Sequence, residues 1–281
     1  MTTAEPSDWM AGAAEDYRPP TELNTGVAHP ARVYDFLLGG KDHFAADREA
    51  GEAMLSLGEE ARTAARANRA ALQRAVRTLA EQGIDQFLDI GTGIPSAGNT
   101  HQIAQQVNPR ARVVYVDNDP IVLTHARALM AGTGHGETTV LQADLRDVEE
   151  ILAAPEVRKL ISFDRPVALL LVAVLHFIPD SDDPHGIVAR LLAALPSGSY
   201  LVLTHGTNDV LTAEEEAGVD SAYSRVSAML ELRSGAEIRR FFDGLELLEP
   251  GLVLAPFWRP DSEPPEGSER IGIYAGVARR P

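Results

Sequence analysis

The chain has 281 residues, 44% of them hydrophobic, enough for one large α/β domain with a substantial core. It carries 41 acidic residues against 25 Lys and Arg, which argues against broad binding to a nucleic-acid backbone but leaves room for a local basic groove. No cysteine is present, so disulfides, thiolate zinc sites and a cysteine nucleophile are excluded. There is no run of about 18 apolar residues and no basic-then-apolar leader pattern, so a soluble, cytoplasmic protein without membrane attachment is expected.

In chain order, residues 1–29 are polar, with Pro19-Pro20 and several acids, and read as a loose arm. Residues 30–82 have helical periodicity: Val33, Phe36 and Leu37 share one face, and Leu57, Leu72, Val76 and Leu79 mark later faces. Gly39-Gly40 and Gly58 break this region into separate helices, and Gly83 closes the last one. An alternation of strands and helices follows. Strands are expected at 86–90, 111–117, 138–143, 167–173 and 200–204. Helices are expected at 97–107, from Pro120 to about Met130, and from Pro184 to about Leu195. Gly132 to Gly136 reads as a loop. Val167 to Ala173 is apolar throughout, as in a strand buried on both faces. Thr212 to Glu215 and Ser234 to Glu237 are capping boxes that open helices at about 212–231 and 235–243. Leu247 to Leu254 and Ile271 to Ala278 read as a closing strand pair.

The richest segment is Phe87-Leu88-Asp89-Ile90-Gly91-Thr92-Gly93-Ile94-Pro95, followed one helix and one strand later by Asp117-Asn118-Asp119-Pro120. This is the strand, glycine turn, helix, strand, acid order of a nucleotide-binding sheet. A dinucleotide loop needs a third glycine, where Ser96 stands, and no negative charge facing the pyrophosphate. Asp89 at the mouth of the strand instead suits the ammonium and sulfonium of S-adenosylmethionine (SAM). The turn alone is moderately specific, and a loop that binds nothing stays open as a reading.

The blocks Ala31 to Asp42, Asp89 to Pro95 with Asn99-Thr100-His101, Val114 to Pro120, and Val174 to Asp180 together resemble class I SAM-dependent methyltransferases. They resemble most closely a large, mainly actinobacterial family first catalogued as a domain of unknown function. The resemblance implies a Rossmann-like α/β fold: a seven-stranded sheet whose last strand is antiparallel, an N-terminal helical extension and a helical insertion after strand five. It divides the chain into the arm at 1–29, a helical lid at 30–82 and a SAM-binding domain at 83–281, with 206–243 as the substrate-side insertion. It implies SAM as cofactor and an unidentified acceptor, expected to be a small molecule. No metal site is expected, and the oligomeric state is open.

By the same resemblance, Asp89, Gly91, Thr92 and Gly93 surround the methionyl part of SAM, although Pro95 replaces the usual third glycine. Asp117 holds the ribose, Asn118 lies under the adenine, Asp144 accepts from the adenine amino group and the Leu145 amide meets the ring. His101 and Lys41 complete the expected cofactor set, Lys41 through the Gly39-Gly40-Lys41-Asp42 turn closing over the site. Plainer readings stand beside these: Asp119 and Asp144 as helix caps, His101 as a surface residue, and Leu175 to Pro179 as a structural turn. His176, after strand four, is the first candidate base, with His205 and Tyr34 behind it. Of Tyr223, Met229, Phe241 and Phe242 in the insertion, one is expected to reach the acceptor. Besides the methyltransferase, a non-catalytic SAM sensor and an NAD-type oxidoreductase remain as alternatives.

Overall fold

Three helices precede the first strand in this computed structural model, which describes residues 24–130, 137–224 and 226–281. The expected arm up to residue 23 and the loop at 132–136 lie outside the described residues. The helices are α1 (Pro30–Leu38), α2 (Ala45–Leu55) and α3 (Glu60–Glu81). Proline opens α1, where its missing N–H costs nothing, and Gly39 closes it in the left-handed region. Along α3, Ala71, Leu72, Ala75, Val76 and Leu79 form a buried stripe at helical spacing that packs on the sheet. Just before α1, residues 24–27 are exposed and the packing begins at Ala28. Ala28 is buried and bridges to Val226.

The alternation then runs β1 (Gln86–Ile90), α4 (Thr100–Val107), β2 (Arg112–Asp117), α5 (Pro120–Met130), β3 (Glu137–Gln142), α6 (Val148–Ala153), α7 (Pro155–Leu160), β4 (Ala168–Val172), α8 (Pro184–Ala193) and β5 (Tyr200–Gly206). The remainder is α9 (Ala213–Tyr223), α10 (Gly235–Arg239), β6 (Glu246–Leu247), β7 (Val253–Leu254) and β8 (Ile273–Arg279). The sheet order is β3-β2-β1-β4-β5-β8-β6, with β7 also paired to β8. Strands β1 to β5 are parallel, whereas β8 runs antiparallel to β5. The strand order reverses between β1 and β4, and that is where a doubly wound sheet opens a crevice at its carboxyl ends.

Side chains alternate across the sheet. Leu88, Val114, Leu169 and Leu203 join one core with α6, α7 and α8, whereas Phe87, Val113, Leu170 and Val202 join the other with α3 and Trp258. Phe87 is fully buried on the central strand. Phe87→Ala is therefore expected to cost about 3–5 kcal/mol of unfolding free energy, read by denaturant titration; a cost below about 1 kcal/mol would mean the site collapses to fill the gap.

Four expectations shift. The closing strand expected at 247–254 is two short strands: Leu247 pairs with Ala278 and Val253 with Ala275, around a turn in which Gly251 N–H donates to Leu248 C=O. Among the described residues the sheet thus has eight strands, with β6 and β7 both lying along β8. Helix α6 was anticipated only as the plainer reading of the acids before it, and α7 was not anticipated. Each has six residues, too few for periodicity to register, and they bury Val148, Ile151, Val157 and Leu160. The helix expected to reach 231 ends at Tyr223, because the chain beyond it is tied down by Ser227 N–H donating to Ala28 C=O. The helix expected over 235–243 is α10 followed by a 3-10 turn at Arg240–Phe242. Among the described residues no helix is long and apolar enough to cross a membrane.

Candidate active site

At the switch point, Gly91 holds φ +76°, and a Cβ there would meet Val174 Cγ2 at 2.4 Å. Only glycine lets the turn after β1 pass this close to the chain leaving β4. Its N–H donates to Val116 C=O at 2.8 Å, binding the turn to β2. Thr92 Oγ1 closes the loop by donating to Asp89 C=O at 3.0 Å. Among the described residues nothing lies within 4 Å of a would-be Cβ on Gly93, so the loop is open on the side where a ligand would lie.

Asp117 ends β2. Its Oδ2 accepts the Gly93 N–H at 2.8 Å and its Oδ1 accepts the Asp119 N–H at 2.9 Å. Each oxygen keeps a further lone pair for a hydroxyl donor. Burial raises this carboxyl to about 6, against the opposing pull of the two N–H donors. Asp89 is raised to about 6 by burial as well, although Thr100 Oγ1 donates to it at 2.6 Å.

A cavity of about 770 Å³ opens over this turn. Asp89, Gly91, Thr92, Gly93, Asp117, Asn118, Asp144 and Leu145 line one end. Residues of the three leading helices, among them Tyr34, Leu37, Met54, Ala61 and Asn68, line another wall. Leu211, Val219, Tyr223, Met229 and Leu230 line the side built by the stretch after β5. The structure thus brings together eight of the ten expected cofactor residues.

Two expected cofactor residues lie elsewhere. His101 does not line the cavity; its Nδ1 and its backbone N–H both meet Tyr115 Oη at 2.8 Å. Tyr115 points to the α3–α4 face of β2, and it draws the start of α4 behind the sheet. Lys41 is exposed and does not line the cavity either. The Gly39-Gly40 turn is organised instead by Asp35, whose carboxylate accepts the Asp42 N–H at 2.9 Å and faces His43 Nδ1 at 3.0 Å. Asp144 lines the cavity, but Arg146 already claims its carboxylate at 2.9 and 3.1 Å. Asp119 caps α5 through Ile121 N–H and also faces Arg32 Nε at 3.3 Å.

The three base candidates fare differently. Tyr34 Oη donates to Ala65 C=O at 2.9 Å and accepts from Asn68, and burial raises its pKa. It lines the cavity with its proton committed to the backbone. His205 is fully buried behind the cavity, in contact with Arg233. Burial pushes it down to about 4, so it is a neutral ring. His176 lines the cavity and stays neutral too, held well below the usual histidine range by burial, with His205 and Arg233 adding to the effect. In the insertion, Tyr223 and Met229 reach the cavity, whereas Phe241 and Phe242 are buried in the core.

Sequence reasoning missed Arg69. It lines the cavity from α3, its terminal nitrogen donates to Asn99 Oδ1 at 2.6 Å, and its buried Nε has no partner among the described residues. One arginine on a 22-residue helix rich in Arg and Ala carries no distinguishing local signal.

The chain matches the family model described as S-adenosyl methyltransferase over residues 16–281. It is similar to the crystal structure of a DUF574 family protein from Streptomyces avermitilis, at 48% identity and TM-score 0.88, covering 92% of this chain and 100% of that one. A candidate methyltransferase from Thermobifida fusca is 40% identical, with TM-score 0.84 over 98% and 99% of the two chains. The magnesium protoporphyrin IX methyltransferase of Synechocystis, with bound S-adenosylhomocysteine (SAH), shares the fold at 15% identity and TM-score 0.54, covering 92% and 96%. No curated protein matches the sequence. Its glycine turn, the acid that ends β2 and the sheet order fit a SAM-binding fold, the NAD alternative gives way, and the chain belongs to the S-adenosyl methyltransferase family.

Proposed function

We propose that this SAM-dependent enzyme methylates a small, largely apolar molecule held between the glycine turn and the walls built by α1–α3 and α9. The observation that carries the reading is the cavity. At about 770 Å³ it extends from Asp117 and Gly93 to Met54, Val219 and Tyr223, and its far side is lined mainly by aliphatic and aromatic side chains. When bound, SAM supplies an electrophilic methyl group on a sulfonium. Asp117 would accept from the ribose hydroxyls, Asn118 and Leu145 would border the adenine, and the Arg69 guanidinium, which lines the cavity, would meet the methionyl carboxylate. The helices α1–α3 act as a lid that keeps water from the reacting atoms, and residues 206–243 form the acceptor side. Tyr34 holds lid and sheet together: it bonds Asn68, whose Oδ1 accepts from Thr204 Oγ1 at 2.6 Å on β5.

The test is transfer of labelled methyl from SAM into a Streptomyces extract separated by size. Label is expected in the small-molecule fraction and to partition into organic solvent. Label confined to protein or nucleic acid would overturn the proposal. For the cofactor half, Arg69→Ala is expected to weaken SAH about tenfold while leaving 5′-methylthioadenosine, which lacks the carboxylate, unchanged. Calorimetry that shows equal losses for both ligands would remove Arg69 from that role.

A further inference from the structure

His176 is the polar side chain best placed to meet an acceptor, and its protonation is dictated by its neighbours. The backbone N–H of Gly206 donates to His176 Nδ1 at 3.1 Å. A backbone N–H can only donate, so Nδ1 holds a lone pair and the proton of the neutral ring sits on Nε2. Gly206 makes the approach possible: a Cβ there would sit 3.7 Å from His176 Nδ1 and 2.8 Å from Leu232 Cδ2.

The second histidine is set by the same logic. Arg233 donates to His205 Nε2 at 2.9 Å. A guanidinium never accepts, so His205 carries its proton on Nδ1, which donates to Gly206 C=O at 2.6 Å. The two histidines therefore clasp Gly206 from both sides, one at its N–H and one at its C=O. Arg233 is itself buried and anchored, donating to Leu175 C=O, Ile178 C=O and Asp180 Oδ1. Those carbonyls belong to the turn that carries His176. The remaining charged and titratable groups around the two rings are Asp180, His185 on α8 and Glu237 on α10.

We infer that His176 is a fixed hydrogen-bond donor at Nε2, not a base, that Arg233 is the positioning residue behind it, and that the acceptor presents an oxygen or nitrogen lone pair to this N–H. To act as a base, His176 would have to carry its proton on Nδ1, against the Gly206 N–H. Among the described residues Nε2 has no hydrogen-bond partner, and the ring lines the cavity. The donor orients a carbonyl, ether or similar group of the acceptor beside the methylated atom, and a purely hydrocarbon face at that point is rejected. The acceptor part of this inference rests on the reading of the cavity as the acceptor site.

Long-range proton–nitrogen correlation spectra of the histidine-labelled full chain test it. The His176 signal is identified by its loss in His176→Gln. The expected result is an unprotonated Nδ1 and a protonated Nε2 that do not change through the range near 6.5 where a free histidine titrates. A protonated Nδ1, or a midpoint near 6.5, would overturn the assignment. The wild-type spectrum decides this point even if no Arg233 variant folds. Arg233→Met frees the Leu175 and Ile178 carbonyls and should shift or broaden the His176 Nε2–H resonance, whereas Arg233→Lys, which keeps a donor there, should retain it; a change in both or in neither removes Arg233 as the positioning residue. With SAH present, millimolar acetophenone should move the His176 Nε2–H resonance and α-methylstyrene, its isostere without an acceptor atom, should not. Equal responses, or none from acetophenone, would overturn the acceptor assignment. SAH calorimetry on the wild type reports separately on the cofactor reading.

Discussion

Asp117→Ala is expected to lose SAH affinity by roughly a hundredfold or more. Two ribose hydroxyls donating to one carboxylate are charge-assisted bonds worth about 1.5–3 kcal/mol each, so their joint loss is about 3–6 kcal/mol. The substitution also frees Gly93 N–H and Asp119 N–H, which the carboxylate now holds at 2.8 and 2.9 Å. The glycine turn loses one of its ties to β2, keeping the Gly91 N–H bond to Val116 C=O, at the same moment as the ligand loses its anchor. Asp117→Asn separates the two effects, because the amide oxygen can keep one of those N–H donors while the charge is gone. It should fall between wild type and alanine. Calorimetry with SAH, alongside a thermal melt to confirm folding, reads the outcome. A folded Asp117→Ala variant with wild-type affinity would remove Asp117 from the cofactor site.

The second large effect concerns pH. Burial holds both Asp117 and Asp89 up at about 6 in the folded chain. Unfolded, each ionises near 3.9. Between these values the folded state keeps protons that the unfolded state has lost. Their contribution to stability is therefore fully present below about 4 and is lost as pH rises through about 6. Ligand binding has the opposite sense. Hydroxyl donors favour the ionised carboxylate, so the cofactor binds the deprotonated form and releases protons near pH 6. From pH 7.5 to pH 5, SAH affinity should fall about tenfold if one carboxylate must ionise and about a hundredfold if both must. Calorimetry in buffers of different ionisation enthalpy should show proton release near pH 6 that vanishes in Asp117→Asn if Asp117 is its source. Flat affinity over that range would mean that neither carboxylate faces the ligand.

The glycine turn and the acid of β2 were legible because their chemistry is local. A tight turn needs glycine, a strand end needs an apolar run before it, and both leave marks within a few residues. The three leading helices were legible for the same reason, since glycines stand at their breaks. The strand pairing with β8 was legible in outline, but not its division into β6 and β7, which depends on how residues 248–252 turn beside it. What stayed hidden is relational. His101 and His176 look alike in sequence, each a histidine at the start of a helical turn. Tyr115 takes one behind the sheet, and Gly206 with Arg233 holds the other at the cavity. Arg69 and Arg233 are remote from the glycine turn in sequence, and no local pattern marks which arginine reaches the cavity or is buried behind it. The role of a side chain such as His205 depended on which partner would arrive at its second nitrogen.

The pairing of Arg32 with Asp119 bears on how fast the enzyme can exchange its ligands. Arg32 sits on α1, is buried, and faces Asp119 Oδ2 at 3.3 Å and Asp47 Oδ2 at 3.6 Å. Asp119 is two residues from Asp117, the carboxylate proposed to hold the ribose, and its own N–H is bonded to it. Lifting α1 off the cavity would pull a buried cation from two buried anions, and stranding such charges costs about 3–5 kcal/mol unless water reaches them as they part. A barrier of that size, if it is felt in the opening step, slows escape by roughly two to four orders of magnitude. Spent cofactor would then linger after each reaction, and the dwell time of SAH, more than the transfer itself, would set the pace of turnover. Stopped-flow displacement of SAH would show it, with Arg32→Gln releasing faster than wild type.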